Sequence, residues 1–301
     1  MDVVFMGTPE YATKILRNLI KNQINISAVF TQPDKPVGRK QILTPPDVKA
    51  FLIQNHPDIK IHQPKNLKDP QTTEFISSLK PDFIVVAAYG QILPQSILDI
   101  APCINLHASI LPQYRGASPI QSAILDGQTQ TGVTSMLMDA GLDTGMILQI
   151  SKTECGDKTS GELFDELGDM AAELIIDTLK NFHTIQKQPQ DESKSSICKK
   201  IKKEMGLFDF NQTTKEIYNK FRAFTPWPGM FLSSGLKILS LKPSSLRGNV
   251  GEILQITKNS IIVGTSDESV EIFTLQEPSK KPLDAPIYIN GKRLGVGDRI
   301  S

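Results

Sequence analysis

Cysteine is scarce in this chain: three residues in 301, Cys103, Cys155 and Cys198, an odd and scattered set. Such usage argues against a disulfide framework, offers no zinc-ligand spacing and fits a reducing compartment. No apolar run approaches the roughly 20 residues that a membrane-spanning helix needs. Neither charge sign is in excess, because Lys+Arg 33 stand against Asp+Glu 32; a polyanionic partner would have to be met by a local patch. The Gly-x-Gly-x-x-Gly fingerprint is missing, with Gly7 standing alone after the first apolar run, so a dinucleotide cofactor is not expected. A Gly-x-Ser-x-Gly elbow and a Cys/His nucleophile arrangement are also absent, which argues against a covalent intermediate. Metal catalysis lacks its ligand spacing. Met1-Asp2 leads straight into Val3-Val4-Phe5-Met6, leaving no room for a signal or transit peptide, and the cytoplasm is the expected location.

What is present is a β-α-β opening. Val3 to Met6 reads as a buried strand, Glu10 to Lys21 as a helix with Ile15, Leu16, Leu19 and Ile20 at helical spacing, and Ile26 to Phe30 as a second strand. Continuous apolar strands separated by helices predict a parallel sheet covered on both faces. Further strands are predicted at Asp82–Ala88, Cys103–His107, Gly132–Met138 and Met146–Ile150, and helices at Asp69–Leu79, Ala117–Leu125 and Ser160–Leu179. Thr31 to Lys40 reads as a Pro/Gly-broken loop carrying Lys35, Arg39 and Lys40. Composition shifts at residues 186–206, where Lys199, Lys200, Lys202 and Lys203 bunch together, and this stretch reads as a linker. Beyond it, Thr213-x-x-Glu216 is a capping box opening a helix that Pro226-Trp227-Pro228-Gly229 closes. Short β runs with Gly and Pro turns then predict a small barrel. The expected organisation is an α/β domain over 1–185, a linker over 186–206 and a β domain over 207–301.

The stretch Cys103-Ile104-Asn105-Leu106-His107 is the most informative for chemistry. On a strand, its i, i+2 spacing places Asn105 and His107 on one face, and a polar pair at the carboxyl end of a parallel strand is where open α/β sheets carry their sites. An amide and an imidazole so placed can donate hydrogen bonds to an oxygen gaining negative charge, as acyl transfer requires. The competing reading makes His107 a core histidine bonded to backbone. Asp143, in a turn between Gly141 and Gly145, either bonds its own turn or reaches His107 from a neighbouring strand to orient it and relay a proton. Cys103 reads as packing, and His56, His62 and His183 as structural or solvated. The cations of the 31–40 loop either bind phosphate or form a solvated face.

Asn105-x-His107, Ser109-Ile110-Leu111-Pro112 and Asp143, taken with Met6-Gly7-Thr8-Pro9, Thr31-Gln32-Pro33-Asp34, Ala88–Pro94, Tyr114–Gln121, Met138–Gly145 and Arg222–Pro228, resemble the folate-dependent formyltransferase superfamily along the full chain. The Thr-Gln-Pro-Asp loop and the Pro-Trp-Pro-led second domain resemble its tRNA-acting branch. The resemblance implies a Rossmann-like, mostly parallel α/β sheet of the formyltransferase fold, followed by a small OB-like β-barrel domain that holds tRNA. It implies Asn105, His107 and Asp143 as the catalytic set and Ser109, Ile110, Leu111 and Pro112 as the folate-binding turn, with Arg39 and Lys40 meeting tRNA. It implies 10-formyltetrahydrofolate as co-substrate, initiator methionyl-tRNA as acceptor and tetrahydrofolate as product. No metal and no membrane are expected, and the chain is expected to be a monomer. This sequence departs from the family at Ile110, where Leu is more usual, at Gln41 and Ile42, where some relatives carry lysines, and at Met146.

Overall fold

The first strand, β1 (Asp2–Gly7), is buried on both faces from Val3 to Met6, which is why its sequence does not alternate. Helix α1 (Glu10–Lys21) lays Tyr11, Ala12, Ile15, Leu16 and Leu19 inward at the 3–4-residue spacing of an amphipathic helix. Gly7 separates them because the helix comes so close: a Cβ there would meet the Ala12 Cβ at 2.5 Å and the Phe5 ring at 2.7 Å. The computed structural model describes residues 1–38 and 40–300.

The chain continues through β2 (Asn25–Phe30), β3 (Lys35–Val37), β4 (Ile42–Thr44), α2 (Asp47–Asn55), β5 (Ile61–His62) and α3 (Pro70–Ser78). Helix α3 starts as its sequence predicts, with Asp69 accepting from Gln71 N at 3.0 Å and Pro70 in the first turn. Then come β6 (Phe83–Ala87), a short α4 (Gln95–Leu98), β7 (Cys103–His107), β8 (Arg115–Gly116), α5 (Pro119–Leu125), β9 (Gln130–Leu137), β10 (Met146–Glu154), α6 (Ser160–Asn181) and β11 (Ile197–Cys198). Among the described residues a seven-stranded sheet runs in the order β10-β9-β7-β6-β1-β2-β5. Its pairs are parallel from β7 through β5, while β9 joins β7 and β10 joins β9 antiparallel. The sheet is therefore mostly parallel with an antiparallel edge. From β1 the chain first moves outward through β2 and β5, then returns to β6 on the other side of β1. That reversal is the topological switch point, beside which open α/β sheets bind ligands at the carboxyl ends of their strands.

Two compact units emerge: Met1–Pro119, Gln130–Glu154 and Phe164–Cys198 form one, and Ile120–Thr129, Cys155–Leu163 and Lys199–Ser301 the other. In the second, Cys155 N donates to Thr129 O, Arg222 Nη1 to Gly156 O at 2.6 Å, and Ser160 Oγ to Thr225 O at 2.8 Å. These bonds tie the 120–129 and 155–163 segments to each other and to the stretch around Arg222 and Thr225. That unit holds α7 (Thr214–Phe224), β12 (Met230–Phe231), β13 (Lys237–Ser244), β14 (Ile253–Ile256), β15 (Ile261–Gly264), β16 (Ser269–Gln276), β17 (Leu283–Asp284) and α8 (Ala285–Gly291). Its strands form a six-stranded antiparallel sheet whose bulges, after Ile238, Ser240 and Ile253, raise its curvature. Ile238, Ile253, Ile261, Val263, Ile272 and Leu275 fill its core. The capping box predicted at Thr213 and Glu216 is formed on both sides, at 2.8 and 3.2 Å.

Two stretches differ from the sequence expectation. Residues 31–40, read as a loop, lead into the β3–β4 hairpin, which exposes all six of its strand residues; a strand pair with no buried face leaves no alternation to read. Residues 186–198, read as linker, are paired: Gln188 exchanges two backbone bonds with Ile147, and β11 runs parallel to β8. Among the described residues no helix is long and apolar enough to cross a membrane.

Candidate active site

Strand β7 ends at the carboxyl edge of the sheet, next to β6 and the switch point. Alternation along it sends Cys103 into the apolar core below, where burial pushes its thiol up to about 12, so it is a packing residue. Asn105 and His107 follow on the same face, and Asp143 meets them from the β9–β10 connection. Asn105 Nδ2 donates to Asp143 Oδ1 at 3.3 Å, and His107 Nδ1 lies 3.7 Å from Asp143 Oδ2. Gly116 N donates to that same Oδ2 at 2.8 Å. The His107 and Asp143 side chains are only 7% and 13% exposed, so their interaction is weakly screened by water.

His107 Nε2 lies 2.9 Å from the Tyr114 carbonyl oxygen. A carbonyl only accepts, so Nε2 carries a proton and Nδ1 is the nitrogen that faces the carboxylate. The backbone-bonded and the site readings of His107 are thus both present in one ring: one edge is fixed, the other points at Asp143. The turn reading of Asp143 belongs instead to Asp139, whose Oδ1 accepts from Gly141 N at 3.0 Å and Thr144 Oγ1 at 2.7 Å. Asp143 is left to look outward from its own turn. Its φ of +54 and that of Tyr114, +60, lie in the left-handed region, at a cost of about 1 kcal/mol for each residue. Gly145 cannot be replaced easily, because a Cβ there would collide with the Leu137 carbonyl.

The turn after β7 is fixed from beneath. Thr134, opposite His107 in the ladder, donates through Oγ1 to Ser109 O at 2.7 Å and accepts from Leu111 N at 3.1 Å. Ser109 Oγ donates to Gln113 O at 2.6 Å, and Leu111 packs on Met136 and Ile147. Of the four residues Ser109 to Pro112, then, the side chains of Ser109 and Leu111 are spent internally, while Ile110 and Pro112 remain half-buried. The structure brings Asn105, His107 and Asp143 together with this turn. It does not bring Lys40 to them: Lys40 is exposed in the β3–β4 connection, and Arg39 lies outside the described residues.

Across the carboxyl edge, Thr8 Oγ1 at 3.1 Å and Gln32 Nε2 at 3.2 Å both donate to Tyr89 O. They fix the Tyr89–Leu93 segment, which exposes Gly90 and Ile92 above a buried Tyr89 whose hydroxyl is pushed up to about 12 by burial. A network the sequence reading missed lies below the hairpin. Lys49 Nζ reaches both Asp34 oxygens at 2.8 Å and Gln63 Oε1 at 2.8 Å, and the amide of Gln63 with this lysine holds the Asp34 carboxyl below the usual carboxylate range. His62, stacked on Phe30 and tilted against Phe75, has its pKa lowered by burial and by Lys60. Two concavities lie away from the cluster, about 520 Å³ beside Thr73, Lys80 and Asp99 and about 610 Å³ between Phe208, Leu232 and Arg299. Neither gathers buried polar groups as Asn105, His107 and Asp143 do, so chemistry rather than size identifies the site.

Comparison with known proteins bears on the family and the fold. Residues 1–179 match the pattern of the family described as formyl transferase, and residues 200–293 that of the formyl transferase C-terminal domain. The chain is 56% identical over 301 residues to the methionyl-tRNA formyltransferase of Campylobacter curvus, spanning 100% of both sequences. A sugar 3N-formyl transferase solved with dTDP and 5-N-formyl-THF superposes with a TM-score of 0.69 at 19% identity, over 93% of this chain and 99% of that one. HypX of Aquifex aeolicus in complex with tetrahydrofolic acid gives 0.66 at 19% identity, over 99% of this chain but 48% of that longer one. At such identities these two likenesses concern the fold alone.

Proposed function

Because this chain belongs to the formyl transferase family, we propose that it transfers the formyl group of 10-formyltetrahydrofolate to the α-amino group of methionine on initiator tRNA. The observation that carries the mechanism is the convergence of Asn105, His107 and Asp143 at 3.3 and 3.7 Å; the acceptor rests on the full-length 56% identity. The neutral amine adds to the formyl carbon, and the carbonyl electron pair moves onto oxygen. The second N–H of Asn105 and a proton on His107 Nδ1 receive that oxyanion. Asp143, beside Nδ1, orients the imidazole and assists movement of the proton from the attacking amine to the folate nitrogen as the C–N bond breaks. Holding two substrates in register supplies much of the remaining acceleration.

In this reading the Ser109–Pro112 turn receives folate through its backbone and through Ile110 and Pro112, since Ser109 and Leu111 face inward. Residues 1–185 carry the chemistry and 207–301 the tRNA, joined by 186–206, with Arg39 and Lys40 meeting the acceptor end. The protein acts as a cytoplasmic monomer without a bound metal. Formyl transfer to charged initiator tRNA, against free methionine and nucleotide-sugar controls and with chelator added, tests the activity; transfer only to the sugar amine would defeat the assignment. Native mass spectrometry checks the monomer.

A further inference from the structure

The segment 188–198 carries a side chain with no part in the reaction as written, yet bonded to the turn that presents Asp143. Gln190 Nε2 donates to Asp143 O at 2.8 Å and to Gly145 O at 2.7 Å, holding the backbone that directly follows the φ of +54 at Asp143. Its Oε1 accepts from Arg115 Nε at 3.0 Å and Nη2 at 2.8 Å. Arg115, itself 6% exposed, directs two further N–H donors at Glu192, at 2.9 and 2.7 Å. Arg115 also immediately precedes Gly116, whose N–H holds the Asp143 carboxylate at 2.8 Å. One planar amide therefore has all four of its hydrogen-bonding sites engaged, two on the Asp143 turn and two on a buried guanidinium. The ladder between β8 and β11 and the Gln188–Ile147 bonds pin both ends of the segment.

We propose that Gln190, anchored by Arg115, is a positioning residue for the formyl transfer assigned above, a role that rests on that reading. It clamps the backbone at the Asp143 carbonyl and two residues beyond, so that the carboxylate meets Asn105 and His107 without leaving its left-handed conformation. Nothing else on the β9–β10 turn could do this, because Asp139 is bonded to Gly141 and Thr144 and Gly145 offers no side chain.

The test compares Gln190→Leu, which keeps size but removes every bond, with Gln190→Glu, which keeps the acceptor for Arg115 and loses only the donors to the turn. Both should lower kcat by about 10- to 100-fold, as a misplacement of about 1 Å does, with KM for each substrate within about threefold. In an Asp143→Asn background, Gln190→Leu should cost less than about threefold more, because residues acting as a unit are not additive. The imidazole ¹⁵N shifts of His107 should move in both variants, while those of His56, His62 and His183 hold. Unchanged kcat in a folded variant, or the full loss repeated on the Asp143→Asn background, overturns the proposal. So does a Gln190→Glu variant with wild-type turnover. Should the wild-type chain transfer no formyl group, the proposed function fails on its own, and the His107 signals still decide the role of Gln190.

Discussion

Two regions at the same edge of the first unit are built on opposite terms. The Asn105, His107 and Asp143 cluster is buried and over-determined: each side chain is fixed by another member or by backbone. The β3–β4 hairpin is the reverse, with all six strand residues exposed and Val37, Ile42 and Leu43 at 56%, 62% and 64%. Preorganised donors stabilise developing charge because they need not reorient during the reaction. Apolar side chains that contribute nothing to the core are available for a partner instead. The hairpin is secured at its base, where Lys49, Asp34 and Gln63 are cross-bonded, and its upper residues are left to the surface.

The contrast is sharpest for chemistry. His107→Ala should cost about 10²–10³ in kcat, the usual loss for one oxyanion donor, with the fold intact by circular dichroism; normal turnover would remove His107 from the mechanism. Stability comes next. Leu111→Ala, under the turn against Met136 and Ile147, should cost about 2–5 kcal/mol, whereas Leu43→Ala in the hairpin should stay within about 0.5 kcal/mol. Equal urea midpoints for the two variants would erase the distinction between the regions. For tRNA binding, replacing Lys35 and Lys40 together should flatten the dependence of log K on log salt by about 0.7–0.9 per lysine and leave kcat at saturation unchanged; an unaltered slope would mean that tRNA does not meet the hairpin.

The smallest expected effect is on pH. His62 has its pKa lowered by burial among aromatics, so as pH falls through the ordinary histidine value of 6.5 the unfolded chain takes up a proton before the folded one. Stability is therefore full above that value and declines below it. Thermal melts between pH 7 and pH 5 should show the decline, and His62→Gln should reduce it; a steeper decline in the variant would reverse the sign.

Much of this was legible because local physics decides it. The apolar runs at 3–6, 83–87 and 103–107, the cap at Asp69 and the capping box at Thr213 are statements about neighbours in the chain, and the structure has them where the sequence places them. The i, i+2 spacing likewise put Asn105 and His107 on one face. What composition concealed was pairing at long range: a polar, Lys-bearing tract after residue 186 contains Gln190 and Glu192, whose partners are 75 and 77 residues away at Arg115, and Arg115 looks like any exposed cation until it is found buried. The hairpin was missed for another reason, since a strand pair without a buried face has no hydrophobic period.

The sequence by itself set the elements with a buried face, the parallel sheet and the residue types at the site, because backbone propensity and side-chain alternation act over a few residues. Only the tertiary structure decided which of Asp139 and Asp143 closes the turn and which faces His107, that Ser109 and Leu111 point inward, and that Gln190 bonds the carbonyls of Asp143 and Gly145. Those outcomes depend on contacts between segments brought together by the sheet, and hydrogen bonds across such distances in sequence leave no periodic trace.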